Sequence, residues 1–331
     1  MTRVAINGMG RIGRAAFKII LDTPELELVA INSRNTAESL AYLLKYDSVY
    51  GRYERDVAGE GDSLAVEGRK YRVVKESDPT RFPWGDLGID IVLDCTGLMD
   101  KREELEQHLA SGAKKVILSA PAKGEGVATV VPGVNWPDPS EQIISCASCT
   151  TNSIAPIMEV LGRRIGLTKA IMTTIHAYTA SQALVDRYQK KLRRGRAAAT
   201  NIVPTSTGAA LATGKIIPEL AGKFDGMSMR VPVLSGSVSD IVVLSARETS
   251  REEVNGVLRE ESETARYNGI LGVTDEPVVS SDIIKDTHAA VVDLELTQVV
   301  DRDLIKIMSW YDNEWGYTCQ MIRLAVRMGG R

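Results

Sequence analysis

The sequence predicts an α/β protein in which a doubly wound parallel sheet is followed by an α+β half with a mixed or antiparallel sheet. Two patterns and a length predict it. In the first half, IDIVLDCTG (89–97) and KVILSAP (115–121) are apolar almost throughout and are separated by an amphipathic helix over 101–113. Such runs, alternating with helices, mark a parallel sheet covered on both faces. After residue 165 the strands lengthen and alternate in polarity, as in TKAIMTTIH (168–176), SVSDIVVLSAR (237–247) and HAAVVDLELTQ (288–298). That alternation belongs to a sheet with one exposed face. The 331 residues suit two domains.

The first element, RVAINGMGRIGRAAFKIIL (3–21), passes from a strand pattern through Gly8, Gly10 and Gly13 into a helix pattern. A G-x-G-x-x-G in that context forms a tight turn whose free N–H groups suit a pyrophosphate, the Rossmann arrangement. The second strand, 26–32, ends in Asn32-Ser33-Arg34, without the acid that commonly bonds the adenosine ribose. No carboxylate then repels a 2′-phosphate, while Ser33 and Arg34 offer a hydroxyl and a cation. The expected cofactor is NADP or NAD, with NADP accepted or preferred. Residues 63–75 alternate around Glu67-Gly68 and predict a hairpin, and Cys95 is expected to line the core.

The strand QIIS (142–145) leads to Cys149 at the start of a helix running from Thr150 towards Leu161, which Pro156 is expected to distort. The domain boundary is placed there, giving 1–148 and 149–315. A final helix, 316–331, is expected to pack back on the first domain. Ser250-Arg251-Glu252-Glu253 carries the capping-box pattern of a further helix.

Composition narrows the function classes. Forty basic and 43 acidic residues leave a net charge of −3, no global field for nucleic acid or a membrane surface. No apolar run has the roughly 18 residues of a membrane span, and the opening strand pattern leaves no room for a signal peptide, so a cytoplasmic location is expected. Four cysteines (95, 146, 149, 319) and three histidines (108, 176, 288) lack the spacing of a zinc site, and no metal is expected. The C-x-x-C of Cys146 and Cys149 leaves a redox pair and a single nucleophile with a bystander as readings. A cysteine at a helix N-terminus has its thiolate favoured by the dipole, which suits Cys149 to nucleophilic attack. Such a nucleophile requires a base. His108 lies on an exposed-looking helix and His288 begins a strand, whereas His176 ends an apolar strand in the domain of Cys149.

AINGMGRIGR, LLKYDSVYGR, SAPAK, ASCTTN, TTIHAYT, LRRGRAAA, PTSTGAA, MRVP and SWYDNEWGY follow one another from Ala5 to Tyr317. With these segments the chain resembles the phosphorylating glyceraldehyde-3-phosphate dehydrogenases over essentially its whole length. The resemblance implies Cys149 as the nucleophile and His176 as the base. It implies Thr179 and Arg230 for the substrate phosphate, and Ser148, Thr150, Arg194, Thr207 and Gly208 for inorganic phosphate. It further implies Arg11, Ile12 and Ser119 as cofactor contacts and Asn313 as the residue that orients the nicotinamide, with Tyr317 beside it.

It also implies a homotetramer acting on a triose phosphate and inorganic phosphate, with residues 177–203 reaching a neighbour's cofactor. The chain departs from the family at Cys146, usually Asn, at Ser181, usually Asp, and in VLSGSVSD (233–240). Arg187-Tyr188 replace a pair that is often Leu-Pro, which makes Arg187 a second candidate cation for a 2′-phosphate. Erythrose-4-phosphate dehydrogenase is the alternative within the enzyme class, and a redox sensor using Cys146 and Cys149 the alternative outside it.

Overall fold

A computed structural model describes residues 1–330; Arg331, the last residue of the expected final helix, lies outside the described residues. The chain forms two compact units. The first holds residues 1–130, 136–147 and the end of the chain from Met321; the second holds 131–135 and 148–320.

In the first unit, β1 (Thr2–Asn7), α1 (Arg11–Leu21), β2 (Leu26–Asn32) and α2 (Ala37–Lys45) are followed by a small β3 (Tyr46–Asp47) and β4 (Gly51–Arg52) pair. Then come β5 (Val57–Glu60), β6 (Ser63–Val66), β7 (Arg69–Val74), β8 (Ile91–Asp94), α3 (Arg102–Ala110), β9 (Lys115–Leu118), β10 (Ala128–Thr129) and β11 (Ile143–Ser145). The sheet order is β10-β11-β9-β8-β1-β2-β7-β6-β5, parallel from β10 through β7. The hairpin expected at 63–75 is β6–β7, turning through left-handed Glu67 and Gly68, and its second strand pairs with β2 and so extends the parallel sheet. The inner strands are apolar because helices cover both faces; all of β8 is buried.

Two glycines make the first turn. A Cβ on Gly8 (φ +97°) would stand 2.8 Å from the carbonyl carbon of Cys95, and one on Gly13 would stand 1.9 Å from the Gly8 carbonyl oxygen. The helix therefore lies closer to the strand than any side chain permits.

A buried polar chain crosses the carboxyl ends of these strands. Trp84 Nε1 donates to His108 Nδ1 (3.0 Å), and His108 Nε2 stands 3.1 Å from Asp94 Oδ2. Asn7 Nδ2 donates to the same Asp94 oxygen (2.8 Å), and Asn32 Nδ2 donates to Asn7 Oδ1 (2.8 Å). An indole N–H only donates, so Nδ1 of His108 accepts, and its Nε2 carries the proton given to Asp94. His108 is thus fully buried, not on an exposed face as its charged helix suggested. It follows Leu105 by one turn, and the two form the inward side of α3.

The second unit contains α4 (Cys149–Arg164), β12 (Leu167–Ala177), β13 (Val203–Ser206), α5 (Ala209–Ile216), β14 (Phe224–Val231), β15 (Ser237–Ser245), α6 (Arg251–Ser262), β16 (Leu271–Thr274), β17 (Ala290–Val300) and β18 (Leu304–Tyr311). Helix α7 (Trp315–Gly329) begins here and ends in the first unit, where the Lys115 ammonium donates to the Met328 carbonyl. The sheet order is β13-β14-β12-β15-β18-β17-β16, mixed in direction, with β12–β14 and β16–β17 parallel.

Helices α4, α5 and α6 cover one face over a core that includes Ile157, Leu161, Ile241, Leu258 and Ile307. Pro156 does not end α4, which runs on to Arg164. It removes one N–H, but every residue from Thr150 to Met158 is buried, and that packing outweighs one missing bond.

Removing the carboxylate at the centre of the buried chain strands donors on Asn7 and His108, and on Thr96, whose N–H and hydroxyl donate to Asp94 Oδ1 (3.1 and 2.7 Å). Asp94→Ala is expected to lower the unfolding free energy by about 3 kcal/mol, and Trp84→Phe by about 1 kcal/mol. Urea unfolding checks this; equal stability of Asp94→Ala and wild type would contradict the assigned bonds.

Candidate active site

Strand β11 is followed by Ala147 in the left-handed region (φ +53°), held by a bond from its N–H to Ser145 Oγ (3.0 Å). A non-glycine residue in that conformation stores strain, a feature that clusters at functional sites. Ser148 then caps α4, its Oγ accepting from Thr151 N (3.1 Å), and Cys149 is the first helical residue.

Cys149 Sγ lies 3.4 Å from His176 Nε2, at the end of β12. His176 Nδ1 lies 2.6 Å from the Ala177 carbonyl oxygen. A carbonyl only accepts, so Nδ1 carries the proton and Nε2 presents its lone pair to the thiol. Tyr311 packs edge-on against the imidazole, with centroids 5.9 Å apart, and its hydroxyl bonds Thr174 Oγ1 (2.7 Å) and Thr150 Oγ1 (3.1 Å). The Thr150 hydroxyl thereby also ties the start of α4 to β18.

Burial pushes the Cys149 thiol up, against the Arg230 charge, the Thr150 hydroxyl and the backbone N–H groups of Thr150 and Cys149, which favour the thiolate. Burial pulls His176 down to about 3, and Arg230 and Arg194 pull the same way against the Ala177 carbonyl. The resting pair is a neutral thiol beside a neutral imidazole, one proton transfer from thiolate and imidazolium.

Two cations face this pair. Arg230 Nη1 donates to Ala177 O (3.0 Å) and stands 3.5 Å from Thr179 Oγ1, while its buried Nε has no hydrogen-bond partner among the described residues. Thr179 Oγ1 bonds Ser181 Oγ (2.8 Å), so a hydroxyl occupies the place of the family's acid. Arg194 Nε donates to Thr205 Oγ1 (2.9 Å), and Thr207 Oγ1 accepts from Ala209 N (3.2 Å) at the start of α5, where Gly208 is the cap. Neither guanidinium pairs with a carboxylate among the described residues. Half-buried cations beside hydroxyls make receptors for tetrahedral anions.

Three residues are functional neighbours that sequence reasoning missed. Tyr311 is one. Ser237 Oγ donates to Asn313 Oδ1 (2.9 Å) and Ser235 Oγ to Asp312 Oδ1 (3.0 Å), so VLSGSVSD is the segment that fixes Asn313. The glycine between two serines was the available signal: a Cβ on Gly236 would stand 2.3 Å from the Ser280 carbonyl oxygen.

In the first unit a cleft of about 550 Å³ opens at the carboxyl ends of the parallel strands, lined by Gly8, Gly10, Asn32, Ser33, Arg34, Glu76 and Thr96 among others. No side chain lies within 4 Å of a Cβ built on Gly10, so this turn is open to a ligand's close approach. Arg11, Ile12 and Gly13 form the first turn of α1, and the Arg11 side chain turns to Asp47 (2.6 Å). Cys95, expected in the core, instead lines the cleft half-buried, because β8 ends at Asp94 and leaves it just past the strand's carboxyl end. Ser119 follows β9, its N–H donating to Asp94 O (2.9 Å). Arg187 is exposed on the 177–203 loop, and Asn313 and Tyr317 are buried in the second unit.

A glycine-turn cleft in one unit and a half-buried thiol beside a buried imidazole in the other define a dinucleotide-dependent oxidoreductase. Residues 2–102 match the NAD binding domain of glyceraldehyde 3-phosphate dehydrogenase, and residues 148–313 match its C-terminal domain. The glyceraldehyde-3-phosphate dehydrogenase of Thermotoga maritima is 50% identical, with 97% of each chain covered. Those of Streptomyces coelicolor and Geobacillus stearothermophilus are each 46% identical, covering 99% of this chain and 99% and 98% of their own. The chain belongs to the glyceraldehyde-3-phosphate dehydrogenase family.

The depressed His176 pKa carries a sign for stability. Unfolding restores an ordinary value near 6.5, so between that pH and about 3 the unfolded chain binds the extra proton and stability falls as pH falls. At pH 5 the loss is about 2 kcal/mol. His176→Asn should lose correspondingly less between pH 7.5 and pH 5 in urea unfolding; equal losses in both proteins would contradict the burial argument.

Proposed function

We propose that the enzyme oxidises D-glyceraldehyde 3-phosphate with inorganic phosphate to 1,3-bisphosphoglycerate, reversibly, with Cys149 as nucleophile and His176 as base. The observation that carries this reading is the 3.4 Å contact of Cys149 Sγ with an imidazole nitrogen whose lone pair is fixed towards it. His176 Nε2 takes the thiol proton as sulfur attacks the aldehyde carbon, and that proton passes to the aldehyde oxygen to complete the hemithioacetal. A bound dinucleotide supplies the acceptor for the hydride that leaves this carbon. His176 takes the hydroxyl proton in the same step, and Cys149 is left as a thioester. An oxygen of inorganic phosphate then attacks the thioester carbonyl, the carbon–sulfur bond breaks, and the thiolate leaves. The thiolate takes up the proton that the attacking phosphate oxygen loses, which restores the neutral thiol, and the proton held by His176 is released, so each turnover yields one acyl phosphate, one reduced cofactor and one proton.

In this reading Arg230 and Thr179 hold the phosphate of the aldehyde, and Ser148, Thr150, Arg194, Thr207 and Gly208 hold inorganic phosphate. Two anion sites explain why two guanidinium groups face one thiol without carboxylate partners. The Cys149 N–H at the helix start serves the tetrahedral oxyanion. Asn313, whose Oδ1 is occupied by Ser237, offers its amide N–H₂ to the nicotinamide carboxamide.

NADP is accepted as well as NAD. Arg34 supports this, since it lines the cleft beside Ser33 with no ion pair among the described residues. Arg187, exposed on its loop, is the second cation proposed for the 2′-phosphate. A homotetramer is supported by Leu184, Val185, Tyr188 and Leu192, each more than 70% exposed on the 177–203 loop. Native mass spectrometry that finds only single chains would contradict it.

Steady-state rates with each cofactor, with and without inorganic phosphate, test the activity. Phosphate-dependent turnover with both is expected, erythrose 4-phosphate should be the poorer aldehyde, and Cys149→Ser should lose at least about 10³-fold. Arg34→Ala should raise KM for NADP about tenfold. Dehydrogenase activity retained in Cys149→Ser would overturn the assignment and leave the thiols a redox role.

A further inference from the structure

The second strand ends without an acid, yet the cleft contains one. Glu76 follows β7, the strand beside β2, and is the only acid among the described residues that line the cleft. It lies against the end of β2: Asn32 Nδ2 donates to the Glu76 carbonyl (3.0 Å), and Glu76 N donates to Asn32 Oδ1 (3.1 Å). Ser33 and Arg34 line the same cleft. An unengaged carboxylate here would accept the ribose hydroxyls and repel a 2′-phosphate, as the acid at the end of β2 does in NAD-binding chains.

The Glu76 carboxylate is not unengaged. Its Oε1 accepts from Ser77 N and Asp78 N, both at 2.9 Å, and its Oε2 lies 3.0 Å from Arg81 Nη2. The carboxylate is 18% exposed and the arginine 72%, so the counter-ion approaches from solvent. Other nearby charges are turned elsewhere: Lys75 pairs with Asp62 (2.9 Å), and Asp78 accepts from Thr80 N and Oγ1. Arg34 then remains as the net charge on this part of the cleft.

We infer that Arg81 determines cofactor specificity: by pairing with Glu76 it neutralises the one acid in the cleft and leaves the ribose end open to a 2′-phosphate. This rests on the proposal that the enzyme accepts NADP. Arg81 acts through Glu76, so it is a positioning residue, and its effect must depend on the glutamate.

The test is the ratio of kcat/KM for NADP to that for NAD in the full-length enzyme. Arg81→Leu should lower the ratio about tenfold, the size expected of one partly screened charge. Glu76→Gln should raise it, and Arg81→Leu should have no further effect on the ratio in the Glu76→Gln background. A merely structural loss would move both cofactors together and leave the ratio unchanged. If the wild type uses NADP and Arg81→Leu leaves the ratio unchanged, or lowers it equally with and without Glu76, the inference is overturned and the NADP reading stands. If the wild type rejects NADP and Arg34→Ala changes nothing, the NADP reading falls and this inference with it.

Discussion

The hydrogen bond from His176 Nδ1 to the Ala177 carbonyl decides which imidazole nitrogen meets the Cys149 thiol. A flipped tautomer would present an N–H to sulfur, and the pair would have no base in its resting state. The backbone carbonyl holds the ring where a carboxylate does in many catalytic triads, and it brings no negative charge into the pocket. That omission matters because the substrates proposed for this site are anions. With no carboxylate paired to them among the described residues, Arg230 and Arg194 keep their charge for ligands, and Arg230 favours the thiolate as well.

The surrounding structure is arranged to hold this pair fixed. Tyr311 joins β18 to β12 and to α4 through two threonine hydroxyls, so one phenol spans the three elements that carry the thiol, the imidazole and Asn313. Ser235 and Ser237 hold the next turn. Burial raises the thiol and lowers the imidazole, a cost in ionisation that the helix start, the Thr150 hydroxyl and Arg230 offset on the thiolate side. The glycine turn of the first unit follows a parallel logic, with side chains removed wherever backbone must approach backbone or ligand.

Much of this was legible in the sequence, and the misses share a physical cause. Apolar strands, the Gly8–Gly13 turn and the Cys149 helix start are local signals, and each lies where local reasoning put it. His108 was misjudged because α3 is highly charged; only the spacing to Leu105 shows its inward side, and its partners Trp84 and Asp94 are distant in sequence. Glu76 was missed because the acid follows the neighbouring strand, 44 residues after Asn32, and only sheet order brings them together. Tyr311 and the two serines act through contacts between strands far apart in the chain. Pro156 lies inside α4, where tertiary packing carries the buried helix past one absent bond.

The central claim is that Cys149 carries the acyl group between oxidation and phosphorolysis. Incubating the enzyme with D-glyceraldehyde 3-phosphate and oxidised cofactor, without inorganic phosphate, and then measuring intact mass under acid quench, tests it directly. The account predicts a 3-phosphoglyceroyl adduct on the peptide containing Cys149, formed with one equivalent of reduced cofactor and discharged when inorganic phosphate is added. Cofactor reduction with no adduct at Cys149, or an adduct that phosphate does not discharge, would contradict it.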